Sequence, residues 1–101
     1  MSKAPKHFRN LRERFPTYID TLDQLGETVR TLGPLDDVTC QLMQLAAAAA
    51  ARSEGAVHSH ARRALEAGAT REELEHGLLC LTSTIGFPAV SAALSWIDDR
   101  G

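Results

Sequence analysis

The sequence predicts an all-α fold, a single compact domain of five or six helices. Three observations lead there. Apolar residues recur at i, i+3, i+4 and i+7 in segment after segment, the spacing that gathers them on one face of a 3.6-residue helix. No segment alternates apolar and polar residues as a half-buried strand would. The hydrophobic content is 44%, yet only five residues are aromatic. Alanine and leucine supply most of it, which suits helices packed closely through small side chains. A chain of 101 residues is one domain with no room for a second.

Each element follows from local chemistry. Residues 1–14 set Lys3, Lys6, Arg9, Arg12 and Arg14 against Glu13. They read as a solvated basic arm or short helix, with Phe8, Leu11 and Phe15 as its apolar side, rather than a specific anion site. Pro16 suits the first turn of a second helix, whose stripe is Ile19, Leu22, Leu25, Val29 and Leu32. Gly33 and Pro34 end it. Asp36 can cap a third helix running to about Arg52, with Val38, Leu42, Leu45, Ala46, Ala49 and Ala50 as its stripe and Gln41 inside that stripe. The run "AAAAAA" at 46–51 reads as a close helix–helix contact. A fourth helix over 54–67 carries Val57, Ala61, Ala64 and Leu65 on its apolar face, and His60 falls among them. Glu54, His58, Arg62 and Glu66 take the opposite face, and Gly68 ends the helix.

"TREE" at 70–73 is a capping box, with Thr70 bonding the Glu73 N–H and Glu73 reaching back. Leu74, Leu78, Leu81 and Ile85 continue the fifth stripe. "GFP" at 86–88 breaks it, and Pro88 opens a last helix through Val90, Ala93, Leu94 and Ile97. Leu79, Ala92 and Trp96 lie off these stripes. Trp96 reads either as an interface anchor or as a cap over its own core edge. Oligomerisation is the usual remedy for so small a core.

Composition also bounds function. The net charge of −2 with mixed signs argues against nucleic-acid and membrane partners, and no apolar run could span a bilayer. The basic start lacks the apolar core of a secretory signal. Cys40 and Cys80 form no CxxC, which argues against a metal knuckle or a local redox pair and fits a reducing cytoplasm. Cys80 reads as a small buried hydrophobe. In "HSH" the two histidines lie two residues apart, about 200° around a helix, so they cannot chelate one ion. His58 and His76 read as surface residues. No cofactor or metal is expected.

Residues 33–100 carry a resemblance. "LDD" opens a helix, an Ala-rich helix follows, then "HSHARRALEAGATREELEHGLL" and "GFPA". This pattern resembles the carboxymuconolactone decarboxylase family and its alkyl hydroperoxidase D-like relatives. The resemblance implies an alkyl hydroperoxidase D-like fold assembled as trimers or hexamers.

The peroxidase branch of that family uses a CxxC pair, a histidine four residues later, a glutamate twelve residues before the first cysteine and a histidine between the cysteines. Laid on this chain, the histidine is His60, the cysteine positions are Ser53 and Ala56, the glutamate position is Gln41, and the intervening histidine falls on Gly55. Without sulfur at Ser53 or Ala56 there is no thiolate or disulfide there. The decarboxylase branch lacks the cysteines and has a glutamate where Ala56 stands; His60 and "GFPA", similar to its "GVPA", are retained. The resemblance therefore implies a decarboxylase- or isomerase-type enzyme acting on a small carboxylate or lactone. His60 would be its general acid, Gln41 would hydrogen-bond the ligand, and Ser53 and Ala56 would be pocket candidates. A peroxiredoxin-like hydroperoxidase and a non-catalytic oligomeric binding protein are the alternatives. Counted from Ser53, Gln41 and His60 lie about 18 Å and 10 Å along their antiparallel helices, a mismatch of roughly 8 Å that water or a ligand would bridge.

Overall fold

The computed structural model describes residues 6–98, and all regular structure in it is helical. Six helices have nine residues or more: α1 (Lys6–Arg14), α2 (Pro16–Arg30), α3 (Asp37–Ala50), α4 (Glu54–Glu66), α5 (Arg71–Leu79) and α7 (Phe87–Ile97). A four-residue segment, α6 (Thr82–Ile85), precedes the last. No helix among the described residues is long and apolar enough to cross a membrane. The described residues group into two compact units that divide between Leu35 and Asp36.

In the first unit, α1 meets α2 across Phe15, and Pro16 occupies the first turn of α2 as its fixed φ favours. Arg12 joins the two helices: one guanidinium nitrogen lies 2.7 Å from Asp23 and the other 3.4 Å from Asp20. Its charged end also sits 5.5 Å from the centre of the Phe8 ring. These pairs are exposed, so each stabilises little on its own. The expected buried stripe of α2 is not found. Only Ile19 is buried; Leu22, Leu25, Val29 and Leu32 are all exposed. Periodicity specifies an apolar face without saying what covers it. The helix also stops at Arg30, three residues before Gly33.

The second unit holds the main core, in which Leu45, Ala48, Ala49, Val57, Ala61, Ala64, Leu74, Leu78, Ala93 and Ile97 pack together. Its most extensive contact is between α3 and α4, where Ala48 and Ala49 meet the Val57, Ala61 and Ala64 face. The alanine run does make a close contact, although Ala47, Ala50 and Ala51 are exposed. The turn between these helices is short. The N–H of Ser53 bonds the carbonyl of Ala48 at 3.1 Å, and that of Arg52 bonds Ala49 at 3.1 Å, a Schellman ending. Arg52 sits in the left-handed region at φ 56°, where glycine is usual. The same ending recurs after α4, with Gly68 at φ 114° in that position and Ala69 bonding Ala64 at 2.9 Å.

The caps form as expected. Asp36 accepts from the Thr39 N–H at 2.8 Å, a bond that holds its carboxyl below the ordinary aspartate range. The capping box is complete: Thr70 N–H donates to Glu73 Oε1 at 2.8 Å, and Glu73 N–H to Thr70 Oγ1 at 3.1 Å. Arg71, next in line, donates to the carbonyl of Ile97 and lies 3.7 Å from Asp98, so it satisfies the C-terminal end of α7. Trp96 is half-buried against the core edge while Leu79 is exposed. Cys80 is also exposed, contrary to the expected burial. It is the C-cap of α5, just past the Leu74 and Leu78 face that meets the core.

Replacing Thr70 with alanine removes the cap acceptor and is expected to destabilise the protein by about 1 kcal/mol. Thermal unfolding followed by circular dichroism should show this as a melting temperature lowered by roughly 4–8 °C.

Candidate functional site

The four candidate residues lie on the α3–α4 hairpin. Gln41 is on α3 and is the buried polar residue of the described chain, 3% exposed. Its Oε1 is enclosed and accepts no hydrogen bond. Burying an amide oxygen without a donor costs about 1–3 kcal/mol, so this position carries a penalty that an apolar residue would not. Gln44, one turn further along α3, has an equally enclosed and unpartnered Oε1. The sequence reading missed Gln44, although a residue three beyond Gln41 on one helix must share its face.

His60 is half-buried on α4, between buried Val57 and Ala64. It therefore lies at the margin of the α4 core face rather than inside it. Leu65, expected on that face, is exposed. The helix ends revise the separation of the two polar residues. Gln41 lies nine residues before the last residue of α3 and His60 six after the first of α4. At a rise of 1.5 Å per residue these are about 13 Å and 9 Å from the turn, a mismatch of roughly 4–5 Å, within one helical turn. Oε1 of Gln41 does not bond to His60.

Ser53 and Ala56 have a structural task that the sequence did not reveal. Ser53 is the N-cap of α4, and its Oγ accepts from the Ala56 N–H at 3.4 Å. The two positions that the resemblance matched to a cysteine pair therefore form the first turn of a helix. Ala56 is half-buried against the core, and Ser53 and Gly55 are exposed. Cys40 is half-buried on α3, and neither it nor Cys80 is in a disulfide. His58 is exposed, with Nε2 3.3 Å from Glu54 Oε2 one turn back, as expected of a surface residue; His76 is exposed too. No group of three or more His, Cys, Asp or Glu side chains able to hold a metal occurs among the described residues.

The fold thus defines a class: a small all-helical protein whose short-turn, alanine-lined hairpin presents a buried amide and a half-buried imidazole. The model of the carboxymuconolactone decarboxylase family matches residues 16–99, and the chain belongs to that family. Its structure is similar to the crystal structure of apo-lpg0406, a carboxymuconolactone decarboxylase family protein from Legionella pneumophila. The TM-score is 0.74 at 25% identity, over 91% of this chain and 82% of the other. No curated protein matches the chain in sequence.

The uncompensated oxygen generates a prediction. Gln41→Leu keeps much of the volume and removes the buried acceptor, so it is expected to raise stability by about 1–2 kcal/mol. Urea unfolding measures this directly; a loss of stability would mean that the amide is satisfied in the native protein.

Proposed function

We propose that this chain is a small-molecule enzyme of decarboxylase or isomerase type, with the α3–α4 hairpin as its site and a small carboxylate or lactone as its ligand. The observation that carries the reading is the enclosed, unpartnered Oε1 of Gln41. A fold that keeps a destabilising amide in its core has a reason to do so if a ligand completes the hydrogen bond. The amide offers one acceptor and two donors. Oε1 takes a hydroxyl or protonated carboxyl of the ligand, and Nε2 can donate to a lactone or carboxylate oxygen.

His60 supplies the proton. In decarboxylation the C–C bond to the carboxyl breaks, carbon dioxide leaves, and the electron pair passes to an enolate. Imidazolium then protonates the carbon, and the neutral ring regains its proton from solvent. Imidazole suits this role because it exchanges protons near neutral pH. The ring is half-buried, with Nδ1 enclosed. An isomerase would use the same proton transfer without loss of carbon dioxide.

The hydroperoxidase alternative is less well supported. Alanine at position 56 has no sulfur, and the Ser53 hydroxyl caps α4. The free thiols Cys40 and Cys80 suit a cytoplasmic protein. We propose also that the chain works as a homo-oligomer, a trimer or a hexamer, because α2 leaves so much apolar surface exposed. This second observation keeps a non-catalytic oligomeric binding protein as the other reading.

Two measurements test the proposal. His60→Ala is expected to abolish turnover or binding of small lactone acids, tested by calorimetry or product assay, while lowering stability by no more than about 1–3 kcal/mol. A larger loss of stability with ligand affinity intact would make His60 a packing residue. Hydroperoxide turnover with a dithiol reductant is expected to stay at background; turnover abolished by Cys40→Ser or Cys80→Ser would restore the peroxidase reading.

A further inference from the structure

Gln41 and Gln44 stand three residues apart on α3, so one helix alone sets their relation. Three residues turn a helix by about 300°, which leaves the two side chains about 60° apart around the axis and their Cβ atoms about 5–6 Å apart. Each carries an Oε1 that is enclosed and accepts no hydrogen bond. Leu45 and Ala48, buried on the same face, have no side-chain donor to offer either oxygen. This face of α3 therefore holds two unfilled acceptors within one helical turn.

We propose that Gln44 is a second ligand-binding residue of the α3–α4 site, and that with Gln41 it selects a neutral ligand bearing two hydroxyl groups. An enclosed amide oxygen is a cost that only a donor removes. A hydroxyl group is such a donor, and two of them on one small molecule fill both oxygens at once. A carboxylate or a lactone carbonyl only accepts, so neither takes that place. Charge points the same way. Both amides are neutral, and among the described residues no charged side chain is fully buried. A carboxylate drawn in beside the two oxygens would lose its water, gain no buried cation and face two acceptors.

This specificity rests on the proposed enzyme site and narrows its ligand, from a small carboxylate or lactone to a dihydroxylated lactone. The two amides hold the hydroxylated edge of the ring, and His60 is left with the proton transfer. A site made of acceptors discriminates by absence: a ligand lacking a hydroxyl seals one oxygen in without a partner.

γ-Butyrolactone, its 2-hydroxy derivative and its 2,3-dihydroxy derivative present no, one and two donors on the same ring. Titration calorimetry of the wild-type protein is expected to show affinity rising about five- to ten-fold with each hydroxyl. Gln44→Met keeps the side-chain length and lacks the acceptor. It should cut the ratio of dihydroxylated to unsubstituted affinity by about five- to ten-fold, with a melting temperature equal to or above that of the wild type. The ring-opened dihydroxy acid should bind more weakly than the dihydroxylated lactone. Equal affinities along the series, a ratio that survives Gln44→Met, or no binding at all would overturn the acceptor pair. A lower melting temperature in Gln44→Met would do the same, because the oxygen would then have a partner in the native protein. Tighter binding of the ring-opened acid would overturn the choice of a neutral ligand. Turnover separates this specificity from the proposed enzyme. A dihydroxylated lactone bound through Gln44 but never converted upholds the specificity and ends the enzyme; conversion that depends on His60 and ignores Gln44→Met does the reverse.

Discussion

The bond pair at Ser53 is the constraint on which the second unit depends. Its N–H closes α3 by bonding Ala48, and its hydroxyl opens α4 by accepting from Ala56. One residue therefore ends one helix and begins the next, and only Arg52 lies between it and the C-cap of α3. So short a connection makes the two helices antiparallel and brings their alanine faces together. Small side chains then let the axes approach, with Val57 filling the space near the turn and Leu45 the space about one turn further back along α3. The remaining core elements, α5 and α7, pack on the surface that this hairpin presents. Arg52 bears the strain, held at positive φ without being glycine.

The polar residues of the hairpin pull against its packing. The other fully buried residues of the core are aliphatic, though Gln44 also encloses an oxygen, and each aliphatic side chain adds apolar burial of roughly 25 cal/mol per Å². Gln41 adds an unsatisfied oxygen instead. His60 lies at the margin of its helix face, half-buried, yet its Nδ1 is enclosed as well.

Local chemistry was the most legible part of the chain. The capping box at Thr70 and Glu73, the Asp36 cap, Pro16 at the start of α2 and the breaks at Gly68 and Gly86 depend on residues within a few positions of each other, and each formed where expected. Legibility declined where the neighbour was distant. Six consecutive alanines give a helical pattern no contrast, so the buried face of α3 was placed toward Val38, Leu42 and Ala50. The burial of Gln41, Leu45, Ala48 and Ala49 turns it toward Gln44 as well. The stripe of α2 had the correct period and the wrong environment. By residue type alone Cys80 reads as a core residue, whereas its place at the end of α5 exposes it. Of the candidate site, the family pattern located Gln41, Ser53, Ala56 and His60, but the capping role of Ser53 and the enclosed oxygens became visible only with the helices assembled. The bond from Arg71 to Ile97 spans 26 residues and left no sequence signal.

The double use of Ser53 has a consequence for how this protein can vary. Surface loops usually tolerate insertions and deletions, because a longer loop costs little entropy and disturbs no packed residue. Here one added or missing residue between Ala50 and Glu54 would separate the two tasks of Ser53 and rotate α4 by about 100° relative to α3. Val57, Ala61 and Ala64 would leave the alanine face together, and His60 would move with them. Length variation among relatives of this chain should therefore collect in the segment from Thr31 to Leu35, and the turn at Arg52 should change in residue type while keeping its length.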